Sequence, residues 1–430
     1  MIALSDALSC HGGRPVLVGF SGGLDSSVLL QACAALPSLR DAGLRAIHVH
    51  HGLHRDADDW AAHCQQACST LGIPLTVVRA AVVDTGEGRE AAARTARHAA
   101  FDDALRDGEV LAVAHHRDDQ AETFLLRALR ASGPDGLAAM RPWRRFGRGW
   151  MWRPLLDLPR AQLLAYAMDH GLRWIDDPSN ADSGFDRNFL RHQVMPLLRA
   201  RWPHVDAAFA RSASLNGEAA DLLEIDDARL LADAHGEDPH VLDVAFLSSL
   251  PAARRARVLR RWIAQLGLPP LPAEGVARIE HDLLPAAADG VAGFAWHGAL
   301  VRRWRGRLHA DWQHAPLAPG WQRQWDGREP LRLPDGSLLA LDGAGHFETR
   351  LVVGARVGGE RITLPGRGHS HALKHVLQDL GVPPWVRERL PLLSTGEGEL
   401  LSVGNLVHSA RFDAWLRAGN ARLRWLRAAD

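Results

Sequence analysis

The sequence contains a single lysine, Lys374, so nearly every cation is an arginine. Codon composition is the simplest cause of that bias, and selection for phosphate or base recognition a secondary one. Cysteine is scarce as well: Cys10, Cys33, Cys64 and Cys68 form no C-x-x-C pair and no zinc spacing, which argues against a disulfide-stapled scaffold and a cysteine-based metal module. No stretch reaches the roughly 18 apolar residues that a membrane span requires. The opening "MIALSDALSCHGGRP" has no basic region followed by an apolar run. A soluble, cytoplasmic protein with reduced thiols and no membrane partner is therefore expected. The formal net charge is zero, so only local clusters of arginine can argue for nucleic acid.

What is present is ordinary globular material, 47% hydrophobic and 23% charged, over 430 residues, which is too long for one core and predicts two or three domains. Short β-type runs, "VLVGF" (16–20), "LRAIHVH" (44–50), "PLTVVRA" (74–80) and "EVLAVAH" (109–115), alternate with helical stretches such as "REAAARTARHAAFDDALRDG". That alternation predicts an α/β domain with a parallel sheet covered on both faces. "WRPLLDLPRAQLLAYAMDHGLRW" reads as a short strand and then a helix entered through Pro159, and "FDRNFLRHQVMPLLRARWP" as a helix interrupted at Pro196. The first boundary is expected near residue 215, giving a catalytic domain over 1–215. A mainly helical domain follows over 216–315, in which Val258, Leu259, Trp262, Ile263 and Leu266 recur at helical spacing. Residues 316–430 then form a linker and a small α+β module with a short helix at "HALKHVLQDLG" and a closing strand pair.

The chemistry starts at "VLVGFSGGLDSSVLL" (16–30), where a buried strand meets a helix through two glycines. Bare backbone there lets N–H groups approach phosphate oxygens at a positive helix end. Both G-x-x-x-x-G-K-[ST] and G-x-G-x-x-G are absent, so this is neither the common P-loop nor a dinucleotide fingerprint. Ser21, Gly22, Gly23, Leu24, Asp25 and Ser26 are the candidate phosphate-binding residues, and Asp25 the candidate Mg²⁺ ligand. Two more polar clusters, "HVHHGLHRDADDW" and "AHHRDDQAETFLLRAL", follow the second and fourth strands, where open α/β sheets bind ligands. His50, His51, His115 and His116 can donate to phosphate or to a developing charge, and Asp118 and Asp119 can hold a metal or orient an amine. Asp25, His51 and Asp119 are the candidate catalytic residues. A zinc site is disfavoured by the carboxylate-rich surroundings.

"SGGLDS" resembles the pyrophosphatase-type PP-loop of enzymes that cut ATP to AMP and pyrophosphate. With "HVHHGL", "AHHRDDQAETFLLRALRASGPDGLAAM", "RPLL", "DDPSN" and "RNFLRHQVMPLL", the chain resembles the tRNA(Ile)-lysidine synthetase family. "ARRARVLRRWI" is similar to that family's middle domain, and "GGERITLPGRGHSHALKHVLQDLGVPPWVRERLPLL" to its C-terminal domain. The resemblance implies a PP-loop fold like that of the adenine nucleotide alpha hydrolases. It also implies an AMP-forming ligation of free L-lysine to the position-2 carbon of the wobble cytidine, in an isoleucine tRNA with a CAU anticodon, using ATP and Mg²⁺. By that similarity Asp119 and Glu122 hold the lysine amino groups with Asp177 nearby, and Arg94, Arg97 or Arg191 hold its carboxylate or the phosphates. The family often has an aromatic where this chain has His98.

For RNA, "MRPWRRFGRGWMWRP" (140–154) places five arginines among four aromatics. Residues 251–310 hold ten arginines against four acidic residues, with Arg254, Arg257 and Arg261 as candidate tRNA contacts. The rival readings are a tRNA thiolase on the same ATP loop, disfavoured by the missing C-x-x-C, and an RNA-binding protein with a degenerate ATP site, disfavoured by the intact motifs.

Overall fold

The computed structural model describes residues 2–8, 12–52, 54–82, 89–178, 184–287, 292–343 and 345–426. Cys10, together with Ser179 and Asn180 of "DDPSN", lies outside them. The chain divides into two compact units, Met1–Asp226 and Asp227–Asp430.

In the first unit the central strands form from short apolar runs buried on both faces, as parallel strands inside a sheet require, and the two edge strands are partly exposed. The strands are β1 (Val16–Gly19), β2 (Leu44–His50), β3 (Leu75–Arg79), β4 (Val110–Ala112), β5 (Trp143–Phe146) and β6 (Gly149–Trp152), in the order β3-β2-β1-β4-β6-β5. All neighbours pair in parallel except β5, which folds back on β6 as an antiparallel hairpin. The helices are α1 (Leu24–Ala34), α2 (Ala57–Leu71), α3 (Arg89–Ala104), α4 (Arg117–Leu129) and α5 (Arg160–Asp169). Val16, Val18 and Phe20 pack into one core, and Leu17, Ile47 and Leu111 into another. The two neighbours of β1 are β2 on one side and β4 on the other. Strand order therefore reverses at β1, and such a switch point opens a crevice beyond the carboxyl ends.

Two local readings need correction. The short strand expected at "RPLL" ends instead at Trp152, because Pro154 has no N–H for the ladder; Leu155 and Leu156 turn into the core. The expected break at Pro196 is a change of helix type: α6 (Asp186–Phe189) runs through a π-turn at Leu190–Val194 into α7 (Met195–Arg201). A widened turn absorbs a proline that would collide with the carbonyl four residues back.

Helix α8 (Val205–Ala234) spans the expected boundary near 215. In the second unit, α9 (Ala252–Gln265) buries Val258, Leu259, Trp262 and Ile263, the stripe its spacing calls for. The region also carries a four-stranded antiparallel sheet formed by β7 (Val241–Asp243), β8 (Gly293–Trp296), β9 (Ala299–Trp304) and β10 (Arg307–Trp312). Its hairpins turn at His297-Gly298 and Arg305-Gly306, all four residues having positive φ, as two-residue turns between twisted strands demand. Downstream, β11 (Gln322–Trp325), β12 (Leu351–Gly354), β13 (Leu392–Ser394), β14 (Leu400–Val403) and β15 (Val407–His408) form a second antiparallel sheet. The expected helix forms as Leu373–Asp379, and a further helix, Ala410–Ala418, precedes a closing strand, Arg422–Leu426.

Candidate functional site

Where β1 ends, the chain passes through Ser21, Gly22 and Gly23 into α1. Gly22 has φ +85°, a left-handed value costly for any side chain, and a Cβ there would lie 2.6 Å from Ile175 Cδ1 and 2.9 Å from Cys64 Sγ. The loop is tied from within. Ser21 Oγ and Ser26 Oγ are 3.0 Å apart, and the Ser26 hydroxyl donates to the Gly23 carbonyl at 3.0 Å. No side chain caps α1, which leaves its first-turn N–H groups for an anion. Leu24 is buried, so only its backbone is on offer.

Asp25 stands in that first turn. Its Oδ2 lies 3.5 Å from His116 Nε2 and its Oδ1 3.8 Å from Arg160 Nε; Oδ1 is buried and accepts no hydrogen bond. An orphaned carboxylate oxygen beside an anion loop fits Mg²⁺, which takes one or two protein carboxylates and completes its shell with substrate phosphates and water.

Beyond β4, His116 starts α4. Its Nδ1 accepts the Asp119 N–H at 3.3 Å, and its own N–H donates to Asp119 Oδ2 at 3.1 Å, a reciprocal cap. Burial works against charging this ring, but the hydrogen bond to Asp25 and the charges of Asp119, Asp25 and Asp118 prevail and raise its pKa. His115 accepts from Arg153 Nε at 3.2 Å. Burial, helped by Arg153, Arg187 and Arg97 and opposed only by Asp119, pushes it down to about 3, so it is neutral at pH 7. Burial, then Arg97, His48 and His50, also lowers His51, whose buried Nδ1 has no hydrogen-bond partner.

The acids of α4 meet two arginines from the α6 segment. Arg187 and Arg191 each donate to Asp119 Oδ1 at 2.9 Å. Glu122, 1% exposed, accepts from Arg187 Nε at 3.0 Å and from Arg191 Nε at 2.7 Å. Although burial opposes it, the positive charges of His116, Arg187 and Arg191 hold Asp119 down at about 2. Arg187 escaped the reading of the sequence. The available signal was its spacing of four from Arg191 in "FDRNFLR", which puts both on one helical face.

The fold thus gathers the glycine loop, Asp25, His116, Asp119, Glu122, Arg187 and Arg191 in one crevice; Arg191 feels the charge of Asp25 as well. Asp177 follows two residues after Ile175, whose N–H donates to the Gly22 carbonyl at 2.9 Å. Arg97 acts electrostatically on His51 and His115, whereas Arg94 acts on His98, Arg144 and Arg153, towards the β5–β6 hairpin. In the second unit Arg254 is exposed, Arg261 is partly buried, and Arg257 Nε donates to the buried Asp227 at 2.8 Å. Lys374 is exposed. Cys33, Cys64 and Cys68 are buried free thiols, pushed by burial up to about 12, 12 and 11, so none is a ready nucleophile. No helix among the described residues is long and apolar enough to cross a membrane.

Comparison with known proteins matches residues 3–198 to a PP-loop domain, 242–309 to the TilS substrate binding domain and 351–425 to the TilS substrate C-terminal domain. The tRNA(Ile)-lysidine synthase of Xanthomonas axonopodis pv. citri (strain 306) is 57% identical over 97% of this chain and 95% of its own. That of Xylella fastidiosa (strain Temecula1) is 53% identical over 96% and 95%. Among solved structures, the U34-tRNA thiolase NcsA from Methanococcus maripaludis aligns with a TM-score of 0.40 at 18% identity, over 50% of this chain and 76% of that one.

Proposed function

The chain belongs to the tRNA(Ile)-lysidine synthase family, and on that premise we propose that it ligates free L-lysine to the wobble cytidine of an isoleucine tRNA with a CAU anticodon. It is an ATP-using ligase of the PP-loop type. In the first half-reaction the cytosine O2 attacks the α-phosphorus; an O–P bond forms, the bond to the bridging oxygen breaks, and pyrophosphate leaves. In the second, a lysine amine attacks C2, a C–N bond forms, the C–O bond breaks, AMP departs with the oxygen, and the amine gives up its proton.

The carrying observation is the contiguity of Asp25, His116 and Asp119, which joins the phosphate loop to the acids of α4. The Gly22 and Gly23 amides with Ser21 and Ser26 would cradle the phosphates in line for displacement. Bound Mg²⁺, held by Asp25, would neutralise phosphate charge. Asp119 and Glu122 would receive the lysine amino group, and Arg97, Arg187 or Arg191 its carboxylate. His51, whose pKa is lowered by burial and whose buried Nδ1 has no hydrogen-bond partner, would accept a proton. Incubation with ATP, labelled lysine and the CAU-anticodon tRNA tests the reading: acid-stable label in the RNA is expected. Label only with a sulfur donor would establish the thiolase instead, and no label at all would overturn catalysis.

A further inference from the structure

Among the described residues, Arg153, 6% exposed, finds only neutral acceptors. Its Nη1 donates to the Arg141 carbonyl at 2.7 Å, its Nε to His115 Nδ1 at 3.2 Å, and its Nη2 meets Met151 Sδ at 3.1 Å. Among the described residues, no carboxylate pairs with it. A buried cation of this kind is costly unless an anion joins it.

The neighbouring charges have the same sign. Burial, then Arg144 and Arg94, pushes Arg153 down to about 10, and burial, then Arg94, lowers Arg144. His98, edge-on to Phe146 at 5.7 Å, is pushed to about 4 by burial and then by Arg94, Arg144, Arg97 and Arg153. From this buried end the positive charge continues outward on one face of the hairpin. Exposed Arg144 lies 5.7 Å over Phe146 and pairs in register with Met151, on the face of Arg153 and His98, whereas Arg145 lies 4.4 Å over Trp150 on the opposite face. The aromatic face holds the Arg144 guanidinium in place without neutralising it. A lone carboxylate would need one guanidinium; two, one buried and one at the exposed edge, suit a backbone phosphodiester that reaches in from solvent. The pair also adjoins the crevice, since β6 pairs with β4, whose continuation is His115 and His116.

We propose that Arg153 and Arg144 form a seat for a phosphodiester of the substrate RNA's single-stranded loop, holding the loop against the crevice. The proposal rests on the RNA-ligase reading above, and its test is separable from the test of that reading.

The experiment compares the wild type with R144Q and with R144K, titrating tRNA over a range of salt and measuring the Michaelis constants for ATP and lysine. For R144Q, affinity for tRNA should fall about threefold or more, and the slope of log affinity against log salt should flatten by about 0.7, the value for one single-strand phosphate. R144K should recover most of both, and the constants for ATP and lysine should stay within about twofold. An unchanged salt slope overturns the proposal. So does a raised Michaelis constant for lysine or ATP with intact tRNA affinity, which would assign the cluster to that substrate. Should the wild type fail to transfer lysine while these slopes behave as stated, the ligase reading falls and the phosphate seat stands.

Discussion

The backbone N–H of Ile175 donates to the carbonyl of Gly22 at 2.9 Å, and the Ile175 side chain fills the space where a Gly22 side chain would stand. The phosphate loop is thereby shaped by the segment that follows α5. Gly22→Ala must adopt a left-handed φ, at about 1–2 kcal/mol, and push Ile175 aside. ATP–pyrophosphate exchange in the presence of tRNA should fall at least about tenfold, with a lowered unfolding midpoint. Gly23→Ala separates the causes. Its Cβ would come no closer than 3.6 Å to any neighbour, so the fold should keep its midpoint while exchange still drops. Wild-type exchange in both variants would deny the loop its phosphate role.

Asp119 is tied to Arg187, Arg191 and the His116 backbone, and its carboxyl is held at about 2 against an ordinary 3.8. Because the folded value lies below the unfolded one, the stabilisation is complete above pH 4 and is lost as pH falls towards 2. A shift of this size is worth roughly 2 kcal/mol. Urea unfolding at pH 5 and pH 2.5 should show this loss in the wild type and a smaller one in Asp119→Asn. Equal losses would show that the acid limb belongs to other carboxylates.

Much of this was legible in the chain because the strands flanking the switch point are short buried runs, and the polar clusters after them are sequence-local. Arg187 was not, since its role depends on α6 meeting α4 some 65 residues upstream. Nor could composition distinguish, among five arginines in "MRPWRRFGRGWMWRP", the buried Arg153 from its exposed neighbours. The sheet of the second unit did leave a trace in "WHGALVRRWRGRLHADW", where two glycines each follow a residue forced to positive φ. The helical spacing of α9 is the stronger periodic signal in that region.

His98 should make the protein acid-sensitive in a second window. Its folded pKa of about 4 lies below the ordinary 6.5, so its contribution to stability is full above pH 6.5 and declines as pH falls towards 4. His98→Phe keeps a ring against Phe146 and removes the titration. The wild type should lose more of its thermal midpoint than this variant between pH 7 and pH 4.5, and parallel curves would refute the assignment.

Arg254 and Arg257 lie three residues apart in one basic run but have different surroundings. Arg254 is exposed, whereas Arg257 holds the carboxylate of Asp227, which is 5% exposed. Reversing Arg254 should cost the fold little and weaken tRNA binding in a salt-dependent way, since a surface cation acts on phosphates at a distance. Reversing Arg257 strands a buried carboxylate beside a new one, a loss of about 3 kcal/mol or more. Arg257→Glu should therefore unfold at markedly lower urea, and its tRNA defect should follow the fraction unfolded. Arg254→Glu should raise the Michaelis constant for tRNA about threefold or more with an unchanged midpoint, because one phosphate contact in low salt is worth roughly that. If Arg257→Glu were as stable as the wild type and still impaired on tRNA, its guanidinium would serve the RNA rather than Asp227.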